Sequence, residues 1–597
     1  MSAQYVIGID LGTTNTVLAF AELESDSPEV QLLQIPQIVA PGTIESRSSL
    51  PSFVYLANEH ELGGSTFDLP WRKKSPFVAG ELARKNSAEA PDRTVTAAKS
   101  WLCHHRVDRR QAILPWNASE DVAKISPVTA SQRYIEHLMS AWNEQFPDAP
   151  FVEQEVIVTV PASFDPIARE LTREAALAAG LPTGFLLLEE PQAALYAWLS
   201  SVGDDWRQLL KPNDTILVCD VGGGTTDLSL IRVVDENGEL SLQRAAVGDH
   251  LLVGGDNMDL AMAHYVAELF KKQGVKLNPW QSVSLWHSCR NAKEQLLKPD
   301  GPETQTISVL GRGSKVIGDT ISVEINRRQT AKLLKDGFLP VCSLDDRPTR
   351  QRSSGFQEIG LPFESDPGIS RHLAAFLSSH ENDDEDAHLP NRILFNGGVF
   401  KSEALRDRML SVIKKWTGKK APKLLDGEHD LDHAVARGAA YYGWAKKHRG
   451  VRIRGGVARS YYVGIETAGL AIPGAPRPLN ALCVVPFGME EGTDADVDSN
   501  EFGLILGEST QFRFFSSTVR KQDKPGDLLR EWDDDELSET DPLEANLPPD
   551  DSVDDNYVPV RFVSKITEIG MFELWCRSTK SDAEWKLEFN IREESEA

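Results

Sequence analysis

Positive charge is scarce in this chain. Its 597 residues hold 63 Lys and Arg against 89 Asp and Glu, for a net charge of -26. Counterion release needs a basic face, so this balance argues against nucleic acid and anionic membranes as partners. No apolar run approaches the ~18 residues that would suggest a membrane span. The first apolar strand begins by Tyr5, leaving no room for a secretory leader, so a cytoplasmic protein is expected. Cysteine is sparse as well: Cys103, Cys219, Cys289, Cys342, Cys483 and Cys576 include no CxxC and no metal-like spacing. Reduced thiols follow, and the NAS at Asn117 reads as a chance sequon. Neither GxxxxGK[ST] nor a GxGxxG after a strand occurs, which excludes a P-loop and a Rossmann fingerprint.

The length exceeds what one core of about 250 to 300 residues supports, so several packing units are expected. From residue 1 to about 445, short apolar strands alternate with amphipathic helices, the pattern of an α/β architecture in two lobes. In SFDPIARELTREAALAAGL, Asp165 is placed to cap, Pro166 to open and Gly180 to stop a helix. In GDNMDLAMAHYVAELFKKQG, Asp256 is the expected cap, with Lys271 and Lys272 complementing the last carbonyls.

The polar span near 343–390 reads as an exposed insertion, and 446–458 as a basic linker. Residues 459–597 form a β-rich domain. In WKLEFNIR, Trp585, Leu587, Phe589 and Ile591 alternate with polar residues, as on a half-buried strand; with GMFELWCRS and the TKSD turn this makes a C-terminal hairpin. REWDDDELSETDPLEANLPPDDSVDDN reads as a solvated acidic loop.

Two stretches echo each other: VIGIDLGTTNTVLAF at 6–20 and LVCDVGGGTTDLSL at 217–230. Each is a strand ending in Asp, a Gly and Thr turn, and a second strand. Successive N–H groups in such turns make anion-binding concavities, and glycine allows close approach. A carboxylate about 4 Å from a phosphate costs roughly 4 kcal/mol at an effective dielectric near 20, so Asp10 and Asp220 demand an intervening cation. Mg²⁺, which keeps several waters and bridges carboxylates to phosphates, fits best. For one copy, an ordinary hairpin turn explains the residues equally well. The repetition favours two similar halves closing on one triphosphate.

GIDLGTTN and DVGGGTTD resemble the two phosphate loops of the actin-like ATPase superfamily. VIVTVPASFDPIARELTREAALAAGL (156–181), LLEEPQAALYAWL (187–199), GDHLLVGGDNMD (248–259) and ILFNGGVFKSEALRDRM (393–409) narrow the resemblance to the 70-kDa heat-shock-protein, DnaK-type chaperones, as a divergent bacterial-type member. The match spans residues 5 to about 445 and implies a two-lobed actin-like (ribonuclease H-like) ATPase fold ahead of the β-rich domain.

That resemblance implies roles. Gly12, Thr13, Thr14 and Asn15 would wrap the outer phosphates of ATP or ADP from one side, and Gly222, Gly223, Gly224 and Thr225 from the other, with Gly254 and Gly255 nearby. Asp10 and Asp220 would hold waters of Mg²⁺. Lys99 matches a phosphate-facing lysine that stabilises charge on the transferred group, although a surface lysine would also fit so short a match. Glu190 matches the carboxylate that positions the attacking water; a helix-start glutamate beside Pro191 is the plain reading. Pro161 and Arg169 match a relay to the second domain, where the bland readings are a strand end and a solvent-facing arginine. Gly397 and Gly398, ahead of a helix capped by Ser402, would approach the nucleoside with Lys401, which replaces an arginine, and Lys293. Arg290, Glu294 and Leu297 replace other nucleoside-contacting residues. Asp432 matches an acid in the closing connection, or caps a helix.

The linker VRIRGGVARSYYVGIET keeps only VGIET of the family pattern, and no helical lid follows the β-rich domain. The leading expectation is an ATP-hydrolysing chaperone acting on a client polypeptide, with J-domain and nucleotide-exchange co-chaperones implied by the resemblance alone. A nucleotide-locked scaffold with little turnover is the second reading. A small-molecule kinase of the same superfamily is the third, and the helix at Pro191 and the β-rich tail weigh against it.

Overall fold

Both echoes fold as antiparallel hairpins, in two sheets built to one plan. The computed structural model describes residues 3–61, 64–104, 107–116, 118, 122–236, 239–309, 321–349, 361, 363–379, 389–418, 421–425, 430–448, 453–454, 456–457, 459–466, 479–490, 492–498, 501–505, 509–533, 536–546, 557–567, 571–581 and 583–589; Asn117 and Ile591 lie outside them. In the first sheet, β1 (Tyr5–Leu11) pairs with β2 (Asn15–Glu22), Leu11 standing opposite Thr16. On its other side β1 runs parallel to β3 (Glu155–Val160), and β3 runs parallel to β4 (Leu186–Glu189). In the second, β5 (Thr215–Val221) pairs with β6 (Thr226–Glu236), which pairs antiparallel with β7 (Glu239–Val247). β5 in turn runs parallel to β8 (Arg392–Asn396). In both, the hairpin's first strand is flanked by a parallel strand, so each Gly and Thr turn projects from the same end of its sheet. Two sheets of one plan make a two-lobed α/β fold.

β1 and β5 are buried along nearly their whole length. Near-continuous apolar runs are what strands covered on both faces require. Helices do the covering. α1 (Pro127–Gln145) and α2 (Pro166–Ala179) share one hydrophobic core with the first sheet, where Tyr134, Leu138 and Ala168 join Ile7, Ile9 and Val158. Asp165 caps α2 through the Ala168 N–H at 2.7 Å, and Gly180 ends it at φ 99°, as the sequence predicts. α3 (Glu190–Val202) follows β4 directly. In the second lobe come α4 (Gly255–Lys272), α5 (Pro279–Leu297) and α6 (Glu403–Thr417), while α7 (Ala434–Lys447) returns to pack on β1, β2 and β3 of the first sheet and on α3.

Three expected caps are not made. α4 is capped at Gly254, whose N–H donates to Asn257 Oδ1 at 2.9 Å, and Asp256 lies inside its first turn. Ser402 occupies the N-cap position of α6, yet its hydroxyl is buried without a partner among the described residues and caps nothing. α7 starts after His433, so Asp432 is not its cap. Asp256 and Asp432 instead form ion pairs, with Arg290 and Lys401.

The span read as an exposed insertion contains the helix Ile369–Ser378, whose Ile369, Leu373, Phe376 and Leu377 are buried in the second lobe's core. Its apolar i, i+4, i+7, i+8 spacing is diluted by the polar flanks. Residues 350–360 and 380–388 lie outside the described ones.

The stretch read as a basic linker adds to the second sheet: Ile453 and Arg454 pair in parallel with Leu242 and Gln243 of β7. The Ile453 N–H donates to Tyr196 Oη at 2.8 Å, and its side chain joins the core around α3 and α7. Beyond it, β9 (Ser460–Glu466), β10 (Leu479–Val485), β11 (Ser509–Ser517) and β12 (Ser538–Asn546) build one sheet, while β13 (Tyr557–Ile566) and β14 (Phe572–Ser578) belong to a second. Both line one core containing Val463, Phe514, Val560 and Leu574.

β12 lies inside the stretch read as an acidic loop. It is a strand because β11 offers it a full ladder, with Leu543 buried inward; pairing and packing override residue propensity there. The expected hairpin forms, with Cys576 opposite Trp585. It then departs from one continuous strand: Glu588–Phe589 crosses to pair with β12.

α7 crosses α3 closely enough that a Cβ on Gly438 would collide with the Ala193 carbonyl. Gly438→Ala is expected to destabilise the protein by about 1–3 kcal/mol, the usual cost of overpacking. A denaturant midpoint unchanged from wild type would contradict this crossing.

Candidate functional site

The two hairpin turns face each other and touch. Ser52 holds the first from behind: its hydroxyl donates to the Gly12 carbonyl at 2.7 Å and its N–H to that of Thr14 at 2.9 Å, while Asn15 pairs with Pro51. In the second turn the Gly222 N–H donates to the Thr225 carbonyl at 2.9 Å. The start of α4 grips that turn from outside, the N–H groups of Gly255 and Asp256 donating to the carbonyls of Gly222 (3.0 Å) and Gly223 (2.7 Å). A Cβ on Gly254 would come within 2.6 Å of the Gly223 carbonyl, so glycine is required for that docking. Gly224 is equally confined: a Cβ there would lie 2.9 Å from the Thr13 methyl and 2.7 Å from Ser100 Oγ. Thr14 Oγ1 meets Gly223 in the same way. The turns are thus tight backbone surfaces carrying buried Thr13 and Thr225.

Beneath them four carboxyl groups converge. Asp10 and Asp220 are each the last residue but one of their strands, β1 and β5, at the mouth of the turn. Glu190 opens α3, where the helix N-terminus favours its charge. Asp227 stands directly opposite Asp220 in the β5–β6 register. Lys99, on a one-turn helix (Ala98–Trp101), forms a buried ion pair with Glu190. Burial pushes the Lys99 ammonium down, but Glu190 and Asp10 more than offset that and leave it raised. The same lysine steadies Asp10 and Asp227.

One ammonium shared among four acids leaves the cluster short of positive charge. Burial, then the charge of Glu190, pushes Asp10 up to about 7 and Asp220 up to about 8. Burial also raises Glu190 and Asp227, against the pull of Lys99. Asn396 donates to Asp220 at 2.7 Å from β8, and Thr159 to Asp10 at 3.5 Å from β3.

These residues fit a hydrated divalent cation. The acids are too negative for their surroundings, and Ser100 Oγ and Asn396 Oδ1 are buried polar atoms without partners among the described residues.

Gly397 abuts the cluster at φ 86°, where a Cβ would lie 2.6 Å from Asp220 Oδ1; Gly398 beside it is open. The remaining predicted residues pair with one another. Lys401 forms an exposed ion pair with Asp432. Lys293 binds Asp259 at 2.7 Å and donates to the Gly255 carbonyl at 3.0 Å. Arg290 spans Asp256 (2.5 Å) and Asp259 (2.9 Å).

Pro161 is buried where β3 ends. Arg169 is 16% exposed rather than solvent-facing: it donates to the carbonyls of Ala162 and Phe164, both at 3.2 Å, and to Glu189 at 2.9 Å. Arg244 of β7 pairs with the same Glu189. This trio borders a cavity of about 50 Å³, closed on the other side by Val457, Arg459, Tyr461 and Phe572.

Asp227, Glu189, Arg244 and Asn396 were not among the predicted residues. The sequence does carry a signal for Asp227: two aspartates seven apart around a four-residue turn fall opposite each other on one face of a hairpin.

Twin glycine-turn hairpins closing over a buried acidic cleft define the actin-like ATPase class. Within it the match is specific: the family model for Hsp70 protein fits residues 6–341. The chain belongs to the Hsp70 family, whose members are ATP-dependent chaperones.

Asp10 and Asp220 keep their protons in the fold to about pH 7 and 8, against 3.8 for a free carboxyl. The folded state therefore binds more protons than the unfolded one in between, and the metal-free, nucleotide-free protein loses stability as pH rises through that window. Asp220→Asn removes part of that loss. Its melting temperature minus that of wild type is expected to grow from pH 5 to 8.5, and a difference independent of pH would contradict the buried-acid reading.

Proposed function

We propose that this chain is an ATP-hydrolysing chaperone in which the nucleotide state of the cleft controls binding of client polypeptide by the C-terminal β-domain. The observation that carries this is the pair of facing glycine turns above buried acids that share one lysine. In this reading Gly12, Thr13, Thr14 and Asn15 hold the outer phosphates from one lobe, and Gly222, Gly223, Gly224 and Thr225 from the other. Mg²⁺, when bound, supplies the positive charge that offsets both the phosphates and the acids. Asp10 and Asp220 would hold the hydrated ion as carboxylates, which requires that both give up their protons. Glu190 orients the attacking water in line with the γ-phosphorus, and Lys99 stabilises charge on the transferred group. Gly254 and Gly255 support the second turn. Gly397, Gly398, Lys293, Lys401 and Asp432 border the nucleoside.

The domain plan that goes with this runs 1–445 for the ATPase, 446–458 for the linker and 459–597 for the client-binding part. Relay is supported by adjacency: Glu190 pairs with Lys99 beneath the turns while Glu189, its neighbour, holds Arg169 and Arg244 beside the cavity that Val457 and Arg459 line. Pro161 and Arg169 frame that corner, and lobe closure would move it. J-domain and exchange-factor partners, and a cytoplasmic location, belong to this proposal through the family.

The second reading, a nucleotide-locked scaffold, is favoured by the bridging of Arg290 and Lys293 to Asp259, since those cations are already engaged. Steady-state phosphate release decides between them.

Lys99→Ala and Asp220→Ala are each expected to lower kcat for ATP by about 10²-fold or more, as loss of a preorganised charge does. Affinity for an unfolded polypeptide should differ between ATP and ADP. Equal affinity with ATP, ADP and no nucleotide would remove the coupling.

A further inference from the structure

Behind the second phosphate turn, side chains from three segments form one hydrogen-bonded chain. Asp227 lies on β6, Ser163 in the turn that follows β3, and His250 in the segment after β7. Ser163 and Asp227 are each 3% exposed. The Ser163 hydroxyl donates to Asp227 Oδ1, and its backbone N–H supports the same carboxyl. Ser163 Oγ also lies 2.7 Å from His250 Nδ1. Phe164 packs edge-on against the imidazole, with ring centroids 5.5 Å apart.

The proton count orders this chain. A serine hydroxyl has one proton and two lone pairs. That proton is committed to Asp227, so His250 Nδ1 must carry the hydrogen of the second bond and donate it to Ser163 Oγ. Burial pushes the imidazole down to about 4, so it is neutral near pH 7 and carries one N–H. Its Nε2 is then a bare lone pair, and that atom is buried without a partner among the described residues.

The order also excludes a hydrolytic triad. Serine stands between histidine and aspartate, and the imidazole nitrogen that faces it already carries a hydrogen, so the histidine cannot serve as its base.

We propose that Ser163 and His250 are positioning residues for the phosphate site, fixing the Asp227 carboxylate beside Lys99 and Asp220. The inference rests on the ATPase reading above and adds to it the device that holds the fourth acid. Asp227 sits on a strand, where its side chain would otherwise turn freely about χ1. The serine hydroxyl fixes Oδ1, its backbone N–H supports the carboxyl, and a neutral histidine holds the serine in turn. The segment is well placed to report on nucleotide: Ser163 is two residues from Pro161 and six from Arg169, and His250 follows Asp249, which pairs with Arg459 at 3.7 Å where the C-terminal domain begins.

The test combines kinetics with a readout that needs no turnover. Ser163→Ala is expected to lower kcat for ATP roughly tenfold, the usual cost of losing a supporting hydrogen bond, with KM within about twofold. Ser163→Thr should restore most of it. Ser163→Ala placed on Asp227→Asn should be no slower than Asp227→Asn alone, because the serine acts through that carboxylate. Wild-type rates in Ser163→Ala, or additive losses in the double variant, would overturn the proposal. Should Ser163→Ala fail to fold, His250→Gln, whose amide can still donate to Ser163, is expected to keep turnover within about threefold; a His250→Gln as slow as Asp227→Asn would overturn it.

A histidine-selective ¹⁵N spectrum of the full chain, assigned with His250→Gln, should show His250 neutral with its hydrogen on Nδ1 at pH 7. An Nε2–H tautomer would overturn the proposed order whether or not the protein hydrolyses ATP. Absence of ATP turnover in wild type, with the Nδ1–H tautomer present, would instead remove the ATPase reading and leave the chain of bonds standing.

Discussion

Four carboxyl groups in one water-poor cleft, sharing one lysine, form the constraint on which the rest of this structure depends. Asp10, Glu190, Asp220 and Asp227 come from four separate segments. Bringing them together is unfavourable, which is why burial raises their proton affinities. A fold that keeps such a cluster must hold it rigidly. The duplicated hairpins do so from two sides, with Ser52 bracing the first turn and the start of α4 the second. A metal-bound polyphosphate turns the same cluster from a liability into a fitted site.

Rigidity reaches the cleft through close backbone contacts. Gly8 of β1 lies against the backbone of Ala436 and Ala440 on α7, and Gly438 of that helix lies against Ala193 on α3. Small residues on all three elements let α7 lock the first sheet to the helix that presents Glu190. Glu189 and Glu190 then divide the work. One turns toward the buried lysine, the other toward Arg169, Arg244 and the cavity shared with the C-terminal domain. Further contacts tie that domain down: Arg109, almost wholly buried, bonds Asp541 at 2.8 Å, and Lys521 donates to the Ala245 carbonyl at 2.6 Å.

Much of this was legible in the sequence because the features are local. Asp10 and Asp220 could be read from strands that end in Asp before Gly and Thr, and α2 from its own cap and stop. Asp227 was legible in principle through hairpin register, yet nothing local marks it as facing the site. What escaped was tertiary. β12 is acidic and holds a proline, and only its ladder with β11 makes it a strand. The helix Ile369–Ser378 is short and set in polar flanks. The caps expected at Asp256, Ser402 and Asp432 failed because those side chains face other partners or none, as where Asp256 meets Arg290 from α5. The chain from His250 through Ser163 to Asp227 joins residues up to 87 apart, so no spacing rule could find it.

Proton release on binding tests the central claim most directly. Calorimetric titration of MgATP into the metal-free protein at pH 7, repeated in buffers of different ionisation enthalpy, counts the protons that leave. Asp10 and Asp220, raised to about 7 and 8, should give up protons as Mg²⁺ and phosphate arrive, so net release beyond that of MgATP alone is predicted, with tighter binding from pH 6 to 8. Binding with no net proton release and no dependence on pH would contradict the account of a cleft built around acids awaiting a cation.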